Sequence, residues 1–258
     1  VRIEDLDPPR VVQGATGRIL STLEAFGLCW DDSICYQSQQ TAAYKIAFEQ
    51  LKTQGLLYPC GCSRKEIADS AIIGIDGPIY KGTCRQGLMG KPARAWRINT
   101  KKAGLLKFND RILGLQTQDL THAVGDYILY RADGIFSYQL AVVVDDAAQH
   151  ITHIVRGADL LGSTARQLFL QECLSLAHPT YLHIPLALDL QGLKLGKQTL
   201  APAIQAHEAQ QLLSAALRCL GQQPPADLAE ASVTDILQWG IDHWQTQTIA
   251  RQSFVSPI

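Results

Sequence analysis

The most informative segment of the chain reads Ile151-Thr152-His153-Ile154-Val155-Arg156-Gly157-Ala158-Asp159. Its first five residues are largely apolar and predict a buried strand, and an arginine and an aspartate follow soon after. A helical pattern then runs from Ser163 to Ala177, with Ser163 or Thr164 as the capping residue, and strand signals resume over Tyr181 to Leu190. This order of strand, helix and strand is typical of an α/β protein, in which binding groups collect at the ends of strands.

The rest of the chain carries further elements of both kinds. Helical spacing of apolar residues predicts four other helices, over residues 19–27, 41–55, 204–220 and 232–244. Strands are predicted over residues 95–99 and 105–108, and a strongly β-prone stretch covers Tyr127 to Val144 with a turn at Asp133-Gly134. We therefore expect a sheet with crossing connections and a helical tail.

The composition is that of an ordinary globular chain of 258 residues, with 47% hydrophobic and 18% charged residues, which excludes a disordered protein. The longest apolar run, Leu140 to Val144, stops at Asp145-Asp146, so no segment is long enough for a membrane helix. The formal net charge of −1 excludes a histone-like binder, because any nucleic acid must meet a local positive patch instead.

The seven cysteines are odd in number and uneven in position, which indicates a reducing, cytoplasmic setting rather than a disulfide framework. No internal repeat or low-complexity tract interrupts the chain. The chain opens on Val1 in the middle of a pattern, so we expect further residues ahead of it.

Three cysteines lie close together in a segment with little hydrophobic periodicity. Residues 58–90 contain Cys60, Cys62 and Cys84 but no histidine, and three thiolates supply three of the four ligands of a tetrahedral zinc ion. Candidates for the fourth ligand are Tyr80, Asp76 and Asp69. Tyr80 is preferred because it lies four residues before Cys84. We therefore predict a structural zinc ion, against the alternative of three buried cysteines without a metal.

A short basic loop follows the last predicted strand and reads Lys194-Leu195-Gly196-Lys197-Gln198. Two lysines there can neutralise the polyphosphate of a nucleotide as its leaving group develops charge. The alternative is an ordinary surface loop, since many such loops hold two lysines.

Arg156 follows a strand, and its guanidinium fork suits a carboxylate because it donates two parallel hydrogen bonds. The alternative role is a structural ion pair with Asp159 or Asp146. Near the start of the chain, Glu4 belongs to an acidic cluster with Asp5 and Asp7 that can receive a substrate ammonium, or can serve as a solvated or helix-capping run.

Five segments together resemble one family in the right order, namely residues 1–10, the Cys60/Cys62/Tyr80/Cys84 insertion, and residues 136–146, 154–159 and 194–198. That family is the class I glutamyl-tRNA synthetases. The Asp7-Pro8-Pro9-Arg10 ending, the compact cysteine module and the Lys-Leu-x-Lys-Gln form are most similar to its short paralogues. Length favours the same paralogues, because the stretch after Lys197 is too short for a helical anticodon-binding domain.

The resemblance implies an α/β fold of the Rossmann-like class I catalytic type. The implied catalytic domain carries an inserted, zinc-bearing region similar to an acceptor-binding domain, and it is followed by a short helical C-terminal tail. The implied boundaries are residues 1–57 for the first catalytic part, 58–125 for the insertion with the zinc module at 58–90, 126–200 for the remainder of the catalytic domain, and 201–258 for the tail.

The reaction implied by the resemblance begins with ATP-dependent activation of L-glutamate. The glutamyl group is then transferred to queuosine, the modified wobble base in the anticodon loop of tRNA(Asp), by a monomer that needs no membrane. Carried over by position, Glu4 holds the α-ammonium of glutamate, Tyr138 lines the pocket and Arg156 pairs with the side-chain carboxylate. Lys197, assisted by Lys194, contacts the ATP phosphates, and Mg²⁺ accompanies ATP.

This chain departs from the family pattern in two ways. The Arg-Phe-Ala-Pro-Ser and His-Ile-Gly-His signatures of the family are expected ahead of Val1, and Gly196 stands where the family usually has serine. Two other functions therefore stay open. One is a catalytically inert tRNA-binding homologue, and the other is a fragment of a full glutamyl-tRNA synthetase.

Overall fold

The computed structural model describes residues 1–70, 72–74, 77–188, 194–196 and 203–255. The helices in this part of the chain are α1 (Ala15–Ala25), α2 (Thr41–Thr53), α3 (Arg64–Ser70), α4 (Leu120–Ala123), α5 (Tyr138–Ala148), α6 (Leu161–Leu174), α7 (Ala209–Cys219) and α8 (Val233–His243). The strands are β1 (Arg2–Ile3), β2 (Cys35–Tyr36), β3 (Leu57–Cys60), β4 (Ile73–Gly74), β5 (Gly77–Pro78), β6 (Ala95–Ile98), β7 (Leu105–Asp110), β8 (Gly114–Asp119), β9 (Ile128–Tyr130), β10 (His153–Gly157), β11 (Thr180–Ile184), β12 (Leu186–Ala187) and β13 (Phe254–Val255).

Parallel pairing connects the strands around Arg156. One sheet has the order β10-β11-β7-β8, in which β10, β11 and β7 run parallel and β8 closes the edge antiparallel to β7. Helix α6 makes the crossover from β10 to β11, which confirms the strand, helix and strand order around Arg156. The short strands β1 and β2 also pair in parallel. The carboxyl ends of β10 and β11 therefore lie at one edge of the sheet, and β7 ends with Asp110 beside Tyr181, near the beginning of β11.

The main hydrophobic core lies between α2, α5, α6 and the neighbouring strands. Fully buried side chains such as Leu51, Leu140 and Leu170 fill it. Asp145 of α5 is also buried, and it accepts hydrogen bonds from the Tyr44 hydroxyl (2.9 Å) and the Gln37 amide (2.7 Å). These bonds satisfy a carboxylate that would otherwise destabilise the core.

The β prediction for Tyr127 to Val144 is wrong in its second half. Strand β9 ends at Tyr130, and the residues from Tyr138 onward form α5. Four consecutive residues of this helix, Leu140 to Val143, are buried, because the helix passes through the core and several of its faces are covered. A continuous apolar run of this length has no period, so it cannot distinguish a buried helix from a buried strand.

The other predicted helices are present with shifted ends. Helix α1 ends just before Gly27, which has a positive φ of 67°, and Ser232 caps α8 by accepting the N–H of Asp235. Helix α6 begins at Leu161, so neither Ser163 nor Thr164 caps it. No helix in the described part of the chain has both the length and the apolar composition that crossing a membrane requires.

A second, antiparallel sheet of order β3-β6-β9 carries the cysteine module. Beside it, Tyr58, Cys60, Tyr80 and Cys84 form a small core of their own. Asp126 connects the module to this sheet: its buried carboxylate pairs with Arg85 (2.6 Å) and accepts the N–H of Thr100 (2.8 Å). The boundaries at residues 57/58, 125/126 and 200/201 stay predictions.

Candidate active site and metal centre

Arg156 lies near the carboxyl end of β10, and three neutral side chains hold its guanidinium. Its Nε–H donates to Nε2 of His183 (3.1 Å). Its Nη1 donates to Oε1 of Gln167 (2.8 Å), and its Nη2 donates to Oγ1 of Thr164 (2.8 Å). Thr164 and Gln167 belong to the first turns of α6, so the predicted capping threonine instead binds the arginine.

The structural alternative for Arg156, an ion pair with Asp159 or Asp146, is wrong. Asp146 pairs with Arg2 (2.7 Å), and Asp159 pairs with Lys194. Among the described residues, no carboxylate lies within ion-pair distance of the Arg156 guanidinium. Its positive charge is therefore oriented by neutral acceptors and stays available to an anion, which is the arrangement a carboxylate-binding pocket requires.

His183 lies beside Arg156 because β10 and β11 pair with these two residues in register. It is fully buried, and its Nδ1 lies 2.7 Å from Oδ2 of the equally buried Asp110 at the end of β7. Burial lowers the pKa of His183 and the nearby Arg156 lowers it further, while Asp110 opposes both. The imidazole is therefore neutral near pH 7, with its proton on Nδ1 facing the carboxylate.

Tyr138 begins α5 and borders the same pocket. Burial raises the pKa of Tyr138, the positive charge of Arg156 opposes the shift, and the negative charge of Glu4 adds to it. Both charges therefore act on the Tyr138 hydroxyl, so Arg156 and Glu4 each lie within electrostatic reach of Tyr138.

Glu4 is distinguished from the other acids of its cluster by its partners. Asp5 accepts the backbone N–H and the hydroxyl of Ser38, and Asp7 pairs with Arg131 (3.0 Å). Glu4 instead keeps an exposed carboxylate, oriented by Arg2 at 3.3 Å. Of the three carboxylates, it is the one whose charge acts on the Tyr138 hydroxyl.

The basic loop is described only in part. Lys194 pairs with Asp159, so its ammonium lies just beyond the end of β10. Lys197, the principal predicted ATP contact, lies outside the described residues, and so does Asp76, one of the candidates for the fourth zinc ligand.

The cysteine module brings the four predicted metal ligands together. The sulfur atoms of Cys60, Cys62 and Cys84 lie within 4.8 Å of one another, and Cys62 and Cys84 are 3.6 Å apart. The Tyr80 hydroxyl lies 3.3 Å from the Cys60 sulfur and 3.6 Å from the Cys62 sulfur. Tetrahedral zinc with Zn–S bonds of about 2.3 Å places sulfur atoms roughly 3.7 Å apart, which the Cys62–Cys84 pair matches, and three thiols with a phenol are a donor set that suits this ion. Asp69 is not part of the metal-ligand group found among the described residues.

The electrostatics of this cluster depend on how its four groups share protons. Burial raises the pKa of the Tyr80 hydroxyl, and its hydrogen bonds with the three thiols raise it further, although the backbone N–H of Cys84 favours the phenolate. Burial alone would raise the pKa of Cys84, but hydrogen bonds from Tyr80 and the Gly61 N–H outweigh it and lower the pKa. This shift makes the thiolate of Cys84, the form that binds a metal ion, easier to reach than that of an ordinary thiol.

Several residues that shape these sites were not singled out from the sequence. They are Arg2, Asp110, Asp126, Thr164, Gln167 and His183, of which Thr164 was assigned only a capping role. Asp110 and His183 are separated by 73 residues, and only the strand order brings them together. The sequence signal for Asp110 and His183 was weak, because each of the two is a single polar residue at or next to a predicted strand.

Comparison with known proteins gives the class. The family model described as tRNA synthetases class I (E and Q), catalytic domain, matches residues 1–220. The structure superposes with a TM-score of 0.77, at 20% identity, on a glutamate tRNA ligase from Elizabethkingia meningosepticum, covering 99% of this chain and 59% of that one. The chain thus has the fold of a class I tRNA synthetase catalytic domain and spans about three fifths of that enzyme's length.

The family within this class follows from relatives of higher identity. A protein named glutamyl-Q tRNA(Asp) synthetase from Dechloromonas aromatica is 52% identical over 99% of this chain and 85% of its own length. Another of the same name from Neisseria gonorrhoeae is 46% identical over 100% of this chain and 88% of its own length. The chain belongs to the glutamyl-Q tRNA(Asp) synthetase family.

Proposed function

We propose that this chain activates L-glutamate with ATP and transfers the glutamyl group to queuosine in tRNA(Asp). The observation that carries the proposal is Arg156, a guanidinium with no described carboxylate partner, oriented by three neutral side chains. Family membership supports the same reaction. A guanidinium whose direct partners are all neutral favours an anionic amino acid side chain over an amide.

Two residues of opposite charge bind the two ends of glutamate. Arg156 pairs with the side-chain carboxylate, Glu4 receives the α-ammonium, and Tyr138 lines the space between them. The free α-carboxylate is then the nucleophile that attacks the α-phosphorus of ATP and releases pyrophosphate. A zwitterion with a second carboxylate matches this charge pattern, whereas glutamine leaves the guanidinium poorly paired.

The phosphates of ATP require cations beyond the glutamate pocket. Lys194, next to the end of β10, and Lys197 supply positive charge to the polyphosphate. Mg²⁺ accompanies the nucleotide and neutralises charge that develops on the leaving pyrophosphate. The two lysines bind and orient the nucleotide.

The metal centre has a structural role in this proposal. Cys60, Cys62, Tyr80 and Cys84 hold a zinc ion that fastens the end of β3 to the segment after β5. The module has a small hydrophobic core of its own, so a metal ion supplies much of its cohesion.

The RNA substrate is engaged through a small footprint. With a net charge of −1 the chain has no overall positive field, so RNA is met by a local patch, which suits a monomer that binds one stem-loop in the cytoplasm. In the anticodon loop the wobble base can splay outward, so that a hydroxyl of its cyclopentene-diol ring attacks the adenylate carbonyl and displaces AMP.

ATP–pyrophosphate exchange, measured with the full chain and glutamate but without tRNA, tests the activation step. We expect glutamate-dependent exchange. Its absence would favour an inert RNA-binding homologue. Exchange that appears only when tRNA(Glu) is added would favour a glutamyl-tRNA synthetase.

A further inference from the structure

We infer that Asp110 and His183 are positioning residues that hold the Arg156 guanidinium in the orientation that selects a carboxylate over an amide. This inference rests on the proposed function, because it concerns the glutamate pocket of that reaction. It adds two residues to the site, neither of which needs to contact the amino acid. The physical basis is a row of three side chains across three parallel strands.

Strand order creates the row. In the order β10-β11-β7, Arg156 pairs in register with His183, while Asp110 lies opposite Tyr181, two residues before His183. Asp110 and His183 are buried, so neither exchanges its partner with solvent. The arrangement therefore connects the site to the framework of the sheet.

Asp110 determines which nitrogen of His183 carries the proton. Its Oδ1 accepts the backbone N–H groups of Ile112 (3.0 Å) and Leu113 (2.8 Å). Its Oδ2 accepts the backbone N–H of His183 (3.0 Å) and faces Nδ1 of the same residue (2.7 Å). A carboxylate held by four contacts can only accept, so Nδ1 carries the proton and Nε2 keeps its lone pair.

The lone pair on Nε2 then receives the Nε–H of Arg156 at 3.1 Å. Thr164 lies 3.2 Å from the same nitrogen and accepts Nη2 of the arginine, and Gln167 accepts Nη1. Of the five guanidinium N–H groups, this leaves one on each terminal nitrogen, which is what a bidentate carboxylate contact requires. The reversed histidine tautomer would place two donors against each other and turn the guanidinium away.

The ring of His183 is fixed as well as its proton. It stacks on Tyr181 with a centroid separation of 6.1 Å and an interplanar angle of 10°, and the Arg156 guanidinium lies over the same Tyr181 ring at 5.4 Å. Burial lowers the pKa of His183, which helps to keep the imidazole neutral beside a cation. The stacked His183 ring and the Tyr181 ring beneath the guanidinium both resist rotation of the Arg156 side chain.

The test compares His183→Phe, which removes both hydrogen bonds, with His183→Gln, which keeps one donor and one acceptor. The readouts are kcat/KM in ATP–pyrophosphate exchange for glutamate and for glutamine, and the melting temperature. We expect His183→Phe to lower kcat/KM for glutamate at least about 30-fold and the glutamate-to-glutamine ratio at least about 10-fold. His183→Gln retains both values within about 5-fold, and the exposed His178→Phe serves as the matched control.

A double-mutant cycle shows whether His183 acts through Arg156. Arg156→Lys keeps a positive charge but lacks the Nε–H that binds His183, so adding His183→Phe to it should cost less than about 3-fold. An undiminished loss in that background overturns the inference, as does a folded His183→Phe variant with an unchanged glutamate-to-glutamine ratio. If His183→Phe does not fold, Asp110→Asn decides the same question, since an unchanged ratio in that variant also overturns the inference.

These outcomes are separable from failure of the proposed function. If the unmodified chain shows no glutamate-dependent exchange, both the proposed function and the inference are wrong. If the unmodified chain discriminates glutamate from glutamine and Arg156→Lys loses that preference while His183→Phe keeps it, the proposed function stands and the positioning role is rejected.

Discussion

Arg156 is a cation whose position depends on neutral groups. Its three side-chain partners are a buried imidazole, an amide and a hydroxyl, so the pocket holds the guanidinium firmly without neutralising it. In the proposed function, a substrate carboxylate would therefore meet a charge that is already oriented, which would reduce the entropy lost on binding.

Replacing Arg156 with alanine should abolish most glutamate activation. A charge-assisted bidentate pair in a buried pocket is worth roughly 2 to 4 kcal/mol on truncation, which corresponds to about 30-fold to 1000-fold in kcat/KM. Exchange kinetics measure the loss, and the exposed Arg251→Ala is the control for removal of a surface cation. Wild-type exchange by Arg156→Ala would show that this residue does not bind the substrate.

A substitution at Gly196 should improve ATP binding rather than weaken activity. Among the residues that the structure describes, no atom lies within 4 Å of the place where its Cβ would stand. Gly196→Ser should therefore fit and add a hydroxyl donor for the phosphates, lowering the KM for ATP about 2-fold to 10-fold. Gly196→Ala is the matched control and should change the KM little. An equal effect of serine and alanine would mean that loop stiffness, not the hydroxyl, is responsible.

Among the elements, α5 shows how tertiary context decides between helix and strand. Its valines favour a strand locally, but the segment forms a helix in which Leu140 to Val143 are all buried in the core. The helix also brings Tyr138 to the pocket and Asp145 to the Tyr44 hydroxyl. The amphipathic helices α2 and α8 could be predicted because one face of each meets solvent and leaves a period in the sequence.

The cysteine module should contain about one zinc ion per chain. Cys84→Ser should remove most of this metal, lower the melting temperature of the module and increase its proteolysis, while glutamate-dependent exchange persists. Elemental analysis of protein purified without chelators measures the zinc, and Cys29→Ser, at an exposed cysteine, is the control. Less than about a tenth of an equivalent in the unmodified protein would reject the metal site.

Asp126 should make the attachment of this module sensitive to acid. Burial alone would raise the pKa of Asp126, but hydrogen bonds from Arg85, the Thr100 N–H and the Tyr58 hydroxyl outweigh it and lower the pKa. Because the folded pKa lies below the unfolded value of about 3.9, the carboxylate stabilises the fold above that pH. This stabilisation is lost as the pH falls through the folded pKa.

Asp126→Asn tests this effect through the free energy of urea unfolding between about pH 3 and pH 7. Breaking a buried ion pair costs about 3 to 5 kcal/mol, so the variant should be less stable by that amount at pH 7, and the difference should shrink below about pH 4. Asp32→Asn, at an exposed position, is the control. A difference that stays constant with pH would show that the charge of Asp126 contributes nothing.

At the scale of the whole molecule, the acceptor should be the modified base rather than the 3′ end of the tRNA. A near-neutral chain has no overall positive field to follow a long RNA, which suits one splayed loop better than the whole length of a tRNA. We expect glutamylation of queuosine-containing tRNA(Asp), and of its isolated anticodon stem-loop. The same RNA with guanosine at the wobble position is the control and should remain unmodified. Glutamate esterified to the terminal adenosine of tRNA(Glu) would contradict this assignment.

The amino-acid sequence by itself determined the features that depend on residues close together along the chain. The α/β alternation and the helices that end near Gly27 and Gly55 follow from local spacing, because periodicity acts over a few turns of chain. The sequence also supplies the cysteines and Tyr80 as candidate ligands, but Cys60 and Tyr80 are 20 residues apart, so the fold is needed to bring them together. Tertiary structure alone decided that α5 is a helix, that Asp5 pairs with Ser38 and Asp7 with Arg131 while Glu4 keeps an exposed carboxylate beside Arg2, and that Asp110, His183 and Arg156 form one row. The reason is physical: burial and strand order join residues far apart in sequence, and no local propensity encodes which strands become neighbours.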